Sequence, residues 1–159
     1  MRNIPIADTD IRWMKLALEE AKLCQKDVPI GAVIVAPSQG TELARAHNRK
    51  EETKDPTDHA EIICIRRAAQ IKGDWRLEDT VIYTTLEPCP MCAEAIIQAR
   101  ITKLVFGAYD SRSGAAGSVF NLFLPKRQYP NPEVIGGILE EDCQLLLKDF
   151  FRNRTDQGP

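Results

Sequence analysis

The chain has 159 residues, 43% hydrophobic and 28% charged, with a formal net charge of -2. That length suits one compact domain, so residues 1–159 are read as a single unit. The weak negative charge excludes a protein that coats nucleic acid through a broad basic field, but it leaves room for a local basic patch. Lys148, Arg152 and Arg154, with Lys126 and Arg127 upstream, read first as ordinary solvated charges. The five cysteines are an odd number and two of them stand three positions apart, which does not suit a secreted disulfide framework. Met1–Asp10 has no apolar run of the signal-peptide kind, and no stretch approaches the ~18 apolar residues of a membrane span. A reducing, cytoplasmic setting without membrane contact is expected.

In chain order, Asp8–Gln25 is expected to be helical. Asp8, Thr9 or Asp10 can cap it, and Ile11, Met14, Leu18 and Ala21 form its apolar stripe. Pro29 breaks the pattern. Ile30–Ala36 is a continuous apolar run, the mark of a buried strand, and Glu42–Ala46 is expected to pair with it as a hairpin. Asn48–Thr57 reads as polar loop. His59–Ile71 is expected to be helical, capped by Thr57 or Asp58 and ended by Gly73. A strand over Thr80–Leu86 leads into a short helix over Pro90–Arg100, with proline in its first turn. Lys103–Ala108 is a further strand, and Ser113–Ser118 is a glycine-rich loop. Ser118–Leu124 suggests a helical turn or two, and Val134–Ile138 a weak strand. Glu140–Arg154 is a final amphipathic helix with Cys143, Leu146, Leu147 and Phe150 inward, and Thr155–Pro159 is expected to fray. Strands alternating with helices imply an α/β fold. The expectation is a three-layer α/β/α sandwich, with a mixed central sheet of about five strands.

Two local patterns carry chemistry: His59-Ala60-Glu61, and Pro88-Cys89-Pro90-Met91-Cys92. Alone, His59 reads as a capping or core histidine, Glu61 as a first-turn dipole partner, and the cysteine pair as a redox dithiol, structural zinc site or buried thiols. Together they match the pattern of zinc-dependent nucleobase deaminases. Cys89 and Cys92 share one face of a helical first turn. Two thiolates and one imidazole make three ligands where zinc takes four, and an open fourth place separates a catalytic site from a structural one. Cys24 and Cys64 are the nearest spare thiols, and Cys64 is expected in the core. Two helix N-termini would help keep the thiols ionised. Two thiolates also cancel the zinc charge, so a neighbouring base is needed to activate water. Glu61, off the face of His59, is expected to take the water's proton. It would then return protons to the ring nitrogen and the departing ammonia.

The chain resembles the bacterial tRNA-specific adenosine deaminases from about Trp13 to Arg152. The resemblance rests on Val28-Pro29-Ile30-Gly31-Ala32-Val33, His47-Asn48-Arg49, Asp55-Pro56-Thr57, His59-Ala60-Glu61, Leu86-Glu87-Pro88-Cys89 through Cys92, Phe106-Gly107-Ala108, Gly114-Ala115-Ala116-Gly117-Ser118 and Phe150-Phe151-Arg152. The glycine-rich segment and the double phenylalanine are more specific to this branch than the metal patterns. The resemblance implies a cytidine-deaminase-like fold, one zinc ion per chain held by His59, Cys89 and Cys92, and Glu61 as catalytic residue. It implies hydrolysis of the wobble adenosine of a tRNA anticodon loop to inosine, by a homodimer that binds the stem-loop jointly. Asn48 would hydrogen-bond the flipped base, and Val28, Pro29 and Ile30 would wall its pocket. Asp110 and Arg112 would contact the loop backbone, and Phe150 and Arg152 the flanking nucleotides. Each has a plainer reading: Asn48 and Asp110 as turn residues, Phe150 as core. Three departures stand out: Asp58 where alanine is usual, Glu94 where a small residue is common, and Gln128–Glu133 where the family has an Asn-His-Arg run. Three rival readings remain: a deaminase of free bases or nucleosides, a zinc-stabilised binding module with a fourth protein ligand, and a redox dithiol.

Overall fold

The computed structural model describes residues 7–156. Helix α1 spans Asp8–Ala21 and starts at Ala7 without a side-chain cap, so its three expected capping residues fall inside the first turn. Asp10 has a different job: buried, it accepts a 2.7 Å hydrogen bond from the Tyr83 hydroxyl and stands 3.6 Å from the Lys103 ammonium. Met14, Ala17, Leu18 and Ala21 face the core, while Ile11 is only half-buried. Strands β1 (Gly31–Ala36) and β2 (Thr41–His47) form the expected antiparallel hairpin, with an irregularity between Ile34 and Val35. A Cβ on Gly31 would lie 2.0 Å from the Ala17 carbonyl oxygen, so this position must be glycine for α1 to lie on β1.

The segment read as polar loop contains a short helix, α2 (Lys50–Thr53). Its Glu51 N–H donates to Asp27 Oδ1 at 2.9 Å, a partner 24 residues away that no local pattern announces. Helix α3 (Ala60–Lys72) ends at Gly73 as expected. Strand β3 (Val81–Leu86), helix α4 (Pro90–Gln98) and strand β4 (Lys103–Ala108) follow. Residues 118–124 are not helical. The Ser118 N–H is taken by Glu87, and those of Val119 and Phe120 by the Gly114 carbonyl, which leaves no helical ladder; an isolated bridge joins Ala116 and Asn121. Strand β5 (Glu133–Ile135) is shorter than expected. Helix α5 spans Glu140–Asp156, so Thr155 and Asp156, expected to fray, are helical; residues 157–159 lie outside the described residues.

The sheet order is β2-β1-β3-β4-β5, with β1 antiparallel to both neighbours and β3, β4 and β5 parallel. Side chains alternate across it. Ala32, Ile34, Ile82, Leu104 and Phe106 pack with Ile63, Cys64, Ile96 and Ile97 of α3 and α4. Val33, Val35, Val81, Tyr83 and Val105 pack with Met14 and Leu18 of α1 and Cys143 of α5. The result is the expected three-layer sandwich around a mixed five-stranded sheet. Among the described residues, no helix is long and apolar enough to cross a membrane.

Candidate metal centre

Two helix starts build the site. His59 is the N-cap of α3 and Cys89 the N-cap of α4, both with extended backbone, and neither side chain caps its own helix. The position that usually spends its side chain on the helix is thus left to face outward. Pro90 sets the first turn of α4 and brings Cys92 onto the side of Cys89. The expectation that Thr57 or Asp58 caps α3 is corrected. Asp58, 7% exposed, accepts from Arg66 Nη1 at 2.8 Å and from Thr53 Oγ1 at 2.7 Å, which neutralises the charge it brings next to His59. The cap comes from outside the helix: Asn48, after β2, accepts the Ala60 N–H on its Oδ1 at 2.8 Å.

The donors converge. His59 Nδ1 lies 3.7 Å from Cys89 Sγ and 3.5 Å from Cys92 Sγ, and the three ligand atoms fall within 4.8 Å of one another. Zinc–sulfur and zinc–nitrogen bonds of about 2.3 and 2.05 Å at a tetrahedral angle place sulfur and nitrogen about 3.6 Å apart. The chain's own spacing therefore fits one zinc ion. Among the described residues this group holds three ligands, not four. Cys64 lies in the core, 3.5 Å from the Ala44 carbonyl, and Cys24 faces the carbonyls of Ile30 and Asn48.

Glu61 stands beside the group. It is 4% exposed; its Oε2 accepts from Cys92 Sγ at 3.1 Å and its Oε1 from Thr84 Oγ1 at 3.0 Å. Burial raises its carboxyl above the usual range. A group that must both take and return a proton near neutral pH is served by that shift. His59 is raised too, chiefly by its hydrogen bond to Cys89. Cys89 is held down to about 4, first by its side-chain interaction with Cys92, while Cys92 is pushed up by the same interaction and by burial. Two thiols this close share a proton, and a cation between them is what lets both ionise. Thr84 had no motif to reveal it. Its only signal is strand alternation, which puts it on the same face of β3 as Ile82, toward α3.

The structure brings His59, Glu61, Cys89, Cys92 and Asn48 together. Asn48 Nδ2 donates to the Val28 carbonyl and its N–H to the Ile30 carbonyl, each at 3.1 Å, so the Val28-Pro29-Ile30 edge is tied to the start of α3. Asp110 folds its own turn: Oδ1 accepts from the N–H groups of Arg112 and Ser113, and Oδ2 from the Ser113 hydroxyl. Arg112 is exposed. Phe150 and Arg152 are not brought into the metal cluster. They sit on α5, which packs on the sheet face opposite α3 and α4, and the Phe150 ring meets Phe151 edge-to-face at 5.3 Å. Two of the departures from the family pattern, Glu94 and the 128–133 segment, are joined through Gln98. Glu94 holds Arg127 through two bonds of 2.9 and 2.8 Å. Gln98 bridges Glu94 and the Tyr129 hydroxyl at 2.8 Å each, and the Arg100 guanidinium stacks 3.4 Å over Tyr129.

Residues 7–108 match the family described as the cytidine and deoxycytidylate deaminase zinc-binding region. Over 145 residues the chain is 45% identical to the tRNA-specific adenosine deaminase of Bacillus subtilis, covering 90% of this chain and 89% of that one. It is 39% identical over 153 residues to the tRNA-specific adenosine deaminase of Haemophilus influenzae, covering 95% and 88%. A solved structure from studies of A-to-I editing by tRNA:A34 deaminases superposes with a TM-score of 0.81 at 42% identity, covering 86% of this chain and 99% of that one. The chain therefore belongs to the cytidine and deoxycytidylate deaminase zinc-binding family, in the branch of the tRNA-specific adenosine deaminases.

Proposed function

We propose that this chain deaminates the wobble adenosine of a tRNA anticodon loop by hydrolysis, giving inosine and ammonia. The observation that carries the proposal is a buried carboxyl, Glu61, set against a three-donor group of zinc spacing. His59, Cys89 and Cys92 hold the metal. When bound, zinc supplies a Lewis acid that makes water easier to ionise near neutral pH. Glu61 takes the proton from the attacking water and delivers protons to the purine ring nitrogen and to the leaving amino group. Thr84 fixes Oε1, which keeps Oε2 on the thiolate side of the centre.

The amino-bearing carbon is reached only when the base leaves its stack, and a hairpin loop offers bases already splayed. Asn48 holds Ala60 with its oxygen and Val28 with one amide hydrogen, and its second amide hydrogen donates to the base. Val28, Pro29 and Ile30 wall the pocket. Asp110 and Arg112 carry the loop backbone, and Phe150 and Arg152 the flanking nucleotides. The whole chain acts as one domain, in a cytoplasmic homodimer that binds the stem-loop jointly. Incubation with an anticodon stem-loop bearing a wobble adenosine, read by nucleoside mass spectrometry, tests this. Inosine is expected. Ammonia from free bases or nucleosides, with none from the stem-loop, contradicts it.

A further inference from the structure

Glu87 lies between β3 and the metal ligand Cys89, and the chemistry above makes no use of it. Its side chain belongs to a residue only 1% exposed, yet it carries a carboxylate. Its partners all come from one loop. Oε2 accepts the N–H groups of Ala116 and Ser118, each at 3.3 Å, and Oε1 accepts the Ser118 hydroxyl in a short bond. The neighbouring Pro88 carbonyl accepts the Ala115 N–H at 2.8 Å. Residues 115, 116 and 118 are thus fastened to residues 87 and 88, next in the chain to the ligand. Gly114 shows how close the fit is: a Cβ there would fall 1.9 Å from Glu87 Oε2. The carboxylate lies against Gly114 and the N–H groups of Ala116 and Ser118. This gives Gly114 and Ser118 of the Gly-Ala-Ala-Gly-Ser segment a physical reason that the sequence alone does not supply.

We propose that Glu87 is a positioning residue, whose carboxylate locks the 113–118 loop to the Cys89 junction so that RNA meets a loop already ordered. The loop follows Asp110 and Arg112, the residues assigned above to the RNA backbone; this part of the inference rests on the tRNA reading. A loop left loose must be ordered at each binding event, and that cost is charged to binding and not to the chemical step. The group must accept at both oxygens. Methionine has nearly the same length and volume, but its thioether is only a weak acceptor, so the donors of the loop lose their partner.

The test compares Glu87→Met and Glu87→Ala with the wild type in the zinc-loaded full chain. Amide hydrogen exchange at residues 114–118 is measured beside KM and kcat on a wobble-adenosine stem-loop. The expected result is fast exchange at Ala116 and Ser118 in both variants with zinc retained. KM should rise roughly 10- to 100-fold, the size of one lost hydrogen bond to a charged group, with kcat within about three-fold. A role in packing alone predicts that Glu87→Met behaves as the wild type. Retained protection at both amides in Glu87→Met overturns the proposal, as does an unchanged KM. If neither Glu87 variant folds, Ser118→Ala, which removes only the hydroxyl donor, decides by the same two readings. Wild-type protein that makes no inosine from the stem-loop overturns the tRNA reading instead, and the exchange measurement then judges Glu87 on its own.

Discussion

Replacing Asn48 with alanine removes two hydrogen bonds that join three parts of the site. The Ala60 N–H, 2.8 Å from Oδ1, is an orphan donor of the helix start, and the Val28 carbonyl loses its 3.1 Å partner. Loss of a helix cap costs about 1–1.5 kcal/mol and a second half-buried hydrogen bond a similar amount, so the total is about 2–3 kcal/mol. For a chain of this size that lowers the melting temperature by roughly 4–12 °C. Zinc affinity falls as well, by about ten-fold, the low end for residues that orient metal ligands, because α3 begins at the ligand His59. Asn48→Asp separates the two bonds. It keeps an acceptor for Ala60 but sets a carboxylate against the Val28 carbonyl, so it should recover part of the melting temperature and little of the activity. Calorimetry and competition with a zinc indicator read both quantities. Asn48→Ala melting and binding zinc like the wild type would refute this account of how the helix start is held.

Thr84→Val is nearly isosteric and removes the hydroxyl that holds Glu61 Oε1. It should lower kcat by about 10- to 100-fold while zinc content stays unchanged in metal analysis. The thiols should separate by reactivity, because the thiolate is the nucleophile and a lowered pKa keeps it populated at neutral pH. After chelation, Cys89, held down to about 4, should alkylate first near pH 7. Cys24, raised to about 11 by burial, should gain rate only as pH climbs toward that value. Cys64 and Cys143, both raised by burial, should react only on unfolding. Zinc should protect Cys89 and Cys92 together in peptide mass spectrometry. Cys24 labelled ahead of Cys89 would contradict this order.

Strands and helices with strong periodicity were legible from sequence. β4 was predicted to the residue, and α3 and α4 within one or two residues, because Pro90 and Gly73 punctuate the chain. The clustering of His59, Cys89 and Cys92 was legible because two short patterns put all three donors at helix starts. What escaped was set by partners distant in sequence. The cap of α3 comes from Asn48, 12 residues earlier; α2 is held by Asp27; and residues 118–124 are drawn out of helix by Glu87, 31 residues from Ser118. Asp58 looked like a cap and a charge liability because Arg66 and Thr53 close on it only in three dimensions. Glu94 and the 128–133 segment looked like unrelated departures from a family pattern until the fold joined Glu94 to Tyr129 through Gln98.

The most direct measurement sets wild type beside Glu61→Gln, recording zinc per chain and inosine formed from a wobble-adenosine stem-loop in a single turnover. Equal zinc in both proteins, with inosine from the wild type alone, is the predicted result. Turnover by Glu61→Gln at the wild-type rate, or a wild type that converts the stem-loop without zinc, would contradict it.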